Sequence, residues 1–362
     1  MFPLAPGLRI GKDEEVCATG IRRSRGMALN LKQLRYLVAL ARHRHFGKAA
    51  AECGITQSAL SQAIRQLESD FNALIIDRHN HGFEGFTPQG AMVLDFARRT
   101  LDHHEHLVQD IGSAGDELNG HVRLGVIPVA MPAISIITTA FNRLYPDVSV
   151  SVTSLNFTDL KSGLENFDLD IGINYLDHGA SAGLRPYFLY DESYFLIAPA
   201  DSSIAQRKSV SWTEAGRLPL CMLTPDMQNR RILDRVFASV GVTPRTVLET
   251  NCALALCSHV RPGHWFAVVP NTFFMMVGDW SQTRAVPLIE PSITNTIGLM
   301  VLERDPQPPA VSAFIEVAED IRMARELMRY APAHLKCEQA DHGAGATADT
   351  PIMHSRLTRA AS

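Results

Sequence analysis

Two sets of residues in this chain have types and spacing that could do chemistry. The first is Gln57 and Ser58 within "FGKAAAECGITQSALSQAIRQLE", residues 46–68. A glutamine can bond bidentately to the major-groove edge of adenine, and the free N–H groups of a helix's first turn suit a phosphate. The plainer reading of the same stretch is a helical hairpin with a solvated polar face. The second set is histidine: His43/His45, His79/His81 and His103/His104/His106. An H-x-H or H-H-x-H run without acidic or cysteine partners at ligand spacing favours a solvated surface over a metal site. No HExxH, Walker or dinucleotide fingerprint accompanies them, so neither an enzyme nor a bound metal is expected.

Gln57 and Ser58 need a frame to present them. In "MALNLKQLRYLVALARHRHF" from Met27, Leu31, Leu34, Leu37, Val38 and Ala41 follow helical spacing, with Asn30 placed as a cap. Ala49 and Ala50 provide a small face where helices can cross, Gly54 a turn, and Ile55, Leu60 and Ile64 an inward face. Thr56 can cap the helix that follows. That is a helix-turn-helix. A hairpin-like stretch, "LIIDRHNHGFEGFTPQG", comes next, with Gly82 and Gly85 as turn residues. Thr87 and Pro88 then predict the start of a helix running to about Ile111. Its apolar positions Leu94, Ala97, Leu101, Val108 and Ile111, with His104 among them, form a narrow seam such as two packed helices share. "SAGDELNGH" closes it as a hinge.

Beyond residue 120 the pattern becomes apolar strands alternating with helices. Strands are predicted at 122–127, 148–153, 169–173, 187–198, 219–223, 246–249, 265–269, 284–288 and 296–302. Helices are predicted at 132–144, 157–166 and 309–330, which together mean an α/β fold with largely parallel sheets. Residues 1–26 and 331–362 lack periodicity and read as an arm and a tail without packed structure. The arm clusters Arg22, Arg23 and Arg25, so a DNA-touching role is the alternative to a start codon placed too far upstream.

The 362-residue chain has a net charge of −4, so any nucleic-acid binding must come from a local patch. Between Met27 and Asn80 seven Lys or Arg face four acids, a basic head on an acidic body. The six cysteines, at 17, 53, 221, 252, 257 and 337, show no CxxC spacing and read as free thiols in a reducing cytosol. With no apolar membrane-length run and no export signal, a cytoplasmic location is expected.

The order helix, helix-turn-helix, Gly-bearing hairpin, long helix resembles the winged-helix head of LysR-type transcriptional regulators. The resemblance continues through "GHVRLGVIP", "YPDVSVSV", "DLDIGI" and "GVTPRTVLET", covering about 300 residues. It implies a multidomain α+β chain: a winged helix-turn-helix at 27–87, a linker and dimerisation helix at 88–115, and a two-lobed periplasmic-binding-protein-like effector domain at 116–330. Lobe one would take 120–195 and 285–330, lobe two 196–284. By resemblance Gln57, Ser58, Ser61 and Arg65 contact bases or phosphates, and Arg78 is the wing-base arginine. Gln62 departs from the family pattern, standing where many members carry Arg or Lys. The resemblance also implies a homodimer or homotetramer on an interrupted palindrome in duplex DNA, and RNA polymerase as a partner of an activator. A small-molecule co-inducer would sit between the lobes, and helix N-termini there would suit an anion. Its candidate contacts are Ala130 (backbone), Ser154, Thr158, Thr224, Asn229 and Thr250. A free-standing solute-binding protein would explain the body but not the helix-turn-helix head.

Overall fold

The computed structural model describes residues 29–77, 83–112, 118–176, 183–260, 264–277, 280–304 and 306–335. Arg78, the arm at 1–26 and residues 336–362 lie outside them. The chain divides into two compact units, one ending at Leu101 and the other beginning at Asp102.

In the first unit, α1 (Leu31–His43) opens on the expected cap. Asn30 Oδ1 accepts the Lys32 N–H, and Gln33 reaches back to the Asn30 N–H. α2 (Phe46–Glu52) and α3 (Gln57–Phe71) are joined through Gly54, whose φ of +65° suits a residue without a Cβ. Leu34, Leu37, Leu40, Ala49, Leu60, Ile64 and Leu67 are fully buried among these helices. Each large aliphatic side chain buried there contributes about 1.5–3 kcal/mol. The short strands β1 (Ile76–Asp77) and β2 (Gly85–Phe86) pair antiparallel. Glu68 on α3 accepts the Ile75 and Ile76 N–H groups at 3.1 Å each, fastening this hairpin to α3. Thr87 Oγ1 accepts the Gly90 N–H as α4 (Pro88–Gly112) begins. A Cβ on Gly90 would fall 1.9 Å from the Ile75 carbonyl oxygen, so this helix start admits no side chain.

The second unit holds one ten-stranded sheet. Its first half runs β4 (Val148–Ser154), β3 (Gly120–Val126), β5 (Ile171–Tyr175), β12 (Thr294–Leu302). The second half holds β10 (Phe266–Pro270), β8 (Leu220–Leu223), β9 (Thr246–Thr250), β11 (Thr283–Ile289) and β7 (Val210–Ser211). The 16-residue β6 (Leu184–Pro199) joins them, pairing with β12 up to Ser193 and with β10 and β11 from Tyr194 onward. Because β6 threads both halves antiparallel to its neighbours, the sheet is mixed rather than largely parallel. Around it pack α5 (Met131–Leu144), α6 (Phe157–Glu165), α7 (Trp212–Ala215), α8 (Gln228–Ser239), α9 (Ala253–Val260) and α10 (Pro309–Asp320).

Three expected boundaries move. β11 pairs with residues 195–199 of β6, so it belongs to the second half, and the chain returns to the first after Ile289 rather than at 285. The helix expected at 309–330 is broken by Ile321, which is extended (ψ 124°). A separate α11 (Met323–Met328) then turns Met323 and Leu327 onto the core. Residues 331–335 belong to the body: Ala331 and Leu335 are buried, and His334 Nε2 lies 2.8 Å from the Ala285 carbonyl.

Candidate functional site

The first turn of α3 is built to face outward. Thr56 Oγ1 accepts the Ala59 N–H at 3.2 Å and lies 3.0 Å from the Ser58 hydroxyl, closing the turn over Gln57. Leu60, Ile64 and Leu67 are buried on the inner side, which leaves Gln57, Ser58, Gln62 and Arg65 exposed and Ser61 half-buried. Neighbouring cations at Arg42, Arg44 and Lys48 are exposed as well. Arg44 sits in the left-handed region after α1 and donates to the Glu84 carbonyl of the wing at 3.4 Å. His45, expected from its H-x-H spacing on a solvated surface, also caps α2: its Nδ1 accepts the Gly47 and Lys48 N–H groups.

In the second unit a cleft of about 470 Å³ opens between the two halves of the sheet. Four helix starts border it: Met131 and Pro132 of α5, Asn156 and Asp159 of α6, Met227 before α8, and Ala253 and Leu254 of α9. Of the expected contacts, Ser154 lines the cleft and the others do not. Ala130 is buried, and Thr158 is exposed away from the lining. The Thr250 hydroxyl is engaged by the Cys252 N–H at 3.1 Å. Thr224 directs its hydroxyl into the protein, where it has no partner. Asn156, Asp159, Asp226, Asn251 and Cys252 supply the remaining polar lining, and no Lys or Arg lines it among the described residues.

The family model described as "Bacterial regulatory helix-turn-helix protein, lysR family" matches residues 31–91. That described as "LysR substrate binding domain" matches residues 115–321, more than half of the chain. The chain belongs to the LysR family. Such a regulator combines a DNA-binding head with an effector-binding body, and the two matches cover both. The OxyR dual regulator of Escherichia coli is 26% identical over 81% of this chain and 95% of its own. The hydrogen peroxide-inducible genes activator of Dickeya chrysanthemi is 29% identical over 83% and 97%. Among solved structures, a cysteine-to-aspartate variant of full-length OxyR from Pseudomonas aeruginosa superposes with a TM-score of 0.65. It has 21% identity and covers 82% of this chain and 97% of its own. Full-length CbnR complexed with its target DNA gives 0.56 at 18% identity, covering 80% and 99%. At these identities the structures bear on the fold alone.

Asn229 of this LysR-family chain belongs to a buried network where β6 changes partners, not to the cleft. Glu192, fully buried, accepts the hydroxyls of Tyr175 (2.9 Å) and Tyr194 (2.7 Å) on Oε1. Asn229 Nδ2 donates to both tyrosine oxygens, and Asn295 Nδ2 to that of Tyr194. Burial pushes the Glu192 carboxyl up to about 7 against the pull of its two tyrosine donors. The network joins β5, β6, α8 and β12, and thus both halves of the sheet.

On α4 only the first part of the expected seam faces inward. Leu94 and Ala97 are buried in the head's own core and Leu101 packs against it, while His104 is half-buried and Val108 exposed. Met92, Phe96 and Leu107, 73%, 48% and 56% exposed, lie close to the opposite face at helical spacing. Within the second unit, Asp102 and His106 of α4 meet Asp170, their ligand-type atoms within 4.8 Å of one another. Asp102 stands four residues before His106 in the sequence, and the fold adds Asp170 from a distant segment. Two arginines already balance the carboxylates: Arg304 bonds Asp102 at 2.5 Å, and Arg123 holds both oxygens of Asp170. This is an ion-pair cluster rather than a cation cage. Residues 179–183 read G-A-S-A-G, the letters of a hydrolase nucleophile elbow. Strand β6 begins at Leu184, so the helix that such an elbow requires does not follow.

Proposed function

We propose that this chain regulates transcription by reading an interrupted palindrome through the first turn of α3, as a dimer or a dimer of dimers. A small molecule entering the cleft changes those contacts. The observation that carries the reading is the capped, outward-facing turn of Gln57 and Ser58, followed by exposed Gln62 and Arg65, backed by a fully buried helix-turn-helix core. CbnR, a structural neighbour, was solved complexed with its target DNA, which supports the same use of this fold. The exposed Met92–Phe96 face of α4 is the pairing surface. Relatives named activators support recruitment of RNA polymerase to the promoter. Footprinting on DNA upstream of the chain's own gene tests this. Two protected half-sites related by inverted symmetry are expected, and protection indifferent to sequence would refute base readout.

Peroxide enters as a second reading through the names of the relatives. A peroxide-reactive cysteine works as the thiolate. Cys221 is buried and its thiol is pushed up to about 11, and Cys257 is buried too. Burial also raises half-buried Cys53. Among the described cysteines, exposed Cys252 at the cleft is where such chemistry would sit. Oxidation of Cys252 by stoichiometric peroxide, read by mass spectrometry and lost in Cys252→Ser, would support that reading over the cleft ligand.

A further inference from the structure

The cleft is the ligand site of the effector reading, by its place between the halves of the sheet and the match to a substrate binding domain, and the inference here rests on that reading. We infer that the ligand is a zwitterion with an ammonium and a carboxylate at one end and an apolar body at the other. Three features of the lining lead to it.

The first is charge. Among the described residues the lining has two carboxylates, Asp159 and Asp226, and no guanidinium or ammonium. Asp226 is exposed, and Arg231 close by directs its Nε to the Pro225 carbonyl at 3.2 Å rather than into the cleft. Asp159 accepts one bond from Asn156 Nδ2 and keeps an oxygen free. A dianion entering here would meet two like charges without a cation to offset them, whereas an ammonium group would find two acceptors.

The second is the helix starts. Each carries about half a positive charge at its free N–H groups. Asp159 in the first turn of α6 and Asp226 just before α8 offset two of them. The starts of α5 and α9 are different: the cap position of α5, Ala130, makes no side-chain bond, and neither first turn contains an acid. A carboxylate is accommodated by that remaining polarity.

The third is the apolar wall. Met131, Met227 and Met276 reach the cleft together with Leu155 and Leu254. Three flexible thioethers beside two leucines suit an unbranched, branched or aromatic side chain. A cleft of about 470 Å³ has room for one with its head group.

Matched probes separate the parts. L-leucine and L-phenylalanine carry both charges; 4-methylpentanoate and 3-phenylpropanoate lack the amine, and 3-methylbutylamine and 2-phenylethylamine lack the carboxylate. Thermal shift and calorimetry on the full chain should show saturable binding of an amino acid and at least tenfold weaker binding of both its halves. Asp226→Asn should weaken the amino acid about ten- to a hundredfold. Binding of a carboxylate as tight as its amino acid, insensitive to Asp226→Asn, would overturn the zwitterion while leaving the cleft as the effector site. If none of the six probes binds but a dicarboxylate does, the inference fails in the same way. Failure of every small-molecule class to bind would remove the effector reading itself.

Discussion

Glu192→Gln isolates one buried charge. The carboxyl is fully buried, and its value rises from the usual 4.5 to about 7. A group whose proton is held more tightly in the folded state adds stability below its unfolded value, and loses it as pH rises through the folded one. Below pH 4.5 Glu192 is therefore neutral in both states and costs nothing. Above pH 7 it is ionised in both, and keeping that charge buried costs about 3 kcal/mol, from roughly 1.4 kcal/mol per unit. A glutamine carbonyl accepts the same Tyr175 and Tyr194 hydroxyls without titrating. The gap in stability between the variant and wild type should therefore widen, in the variant's favour, by roughly 2–3 kcal/mol between pH 5 and pH 8. All three tryptophans, Trp212, Trp265 and Trp280, lie in the second unit, so urea unfolding followed by tryptophan fluorescence reports that unit alone. Parallel pH profiles for the two proteins would show that Glu192 does not ionise near neutrality, and the network would lose its part as a pH-dependent link between the halves.

Other outcomes follow from the same structure. Phe96→Glu on the exposed face of α4 should shift the chain towards monomer in sedimentation, whereas Leu94→Ala should leave assembly intact and destabilise the head by about 2–5 kcal/mol, since Leu94 is buried. Asp102→Asn leaves Arg304 and Arg123 facing a neutral amide and should cost about 3–5 kcal/mol by chemical denaturation. Burial opposes ionisation of Asp102, but the His106 contact and the Arg304 and Arg123 charges outweigh it and hold its value below the usual carboxylate range. Its stabilisation should thus be present above about pH 4 and fade as pH falls through the lowered value. Arg65→Ala should weaken binding to all DNA sequences and reduce the salt slope by about one.

The head was legible because each of its elements carries its own local signal. Asn30, Thr56 and Thr87 cap the helices they precede, and Gly54 takes the left-handed turn expected of its position. Spacing alone did not reveal what an apolar face packs against. Leu94, Ala97 and Leu101 form a stripe that would serve a partner helix or the head's own core equally well, and the core claims it. The cleft was legible as a region but not residue by residue. Hydroxyls at Thr224 and Thr250 suggested ligand contacts, yet one turns inward and the other serves a backbone N–H. Asn229 and Glu192 are 37 positions apart and meet only because β6 crosses from one half of the sheet to the other. The same long-range folding brings Asp170 to Asp102 and His106.

The central claim is that Gln57, on the exposed first turn of α3, reads bases. The most direct test measures fluorescence anisotropy of full-length wild type and Gln57→Ala on the footprinted operator and on random duplex of equal length, at one fixed salt concentration. Loss of a bidentate adenine contact is worth about 1–3 kcal/mol, so operator affinity should fall roughly five- to a hundredfold while random-duplex affinity stays the same. An unchanged ratio of the two affinities would contradict the account and place sequence recognition on another surface.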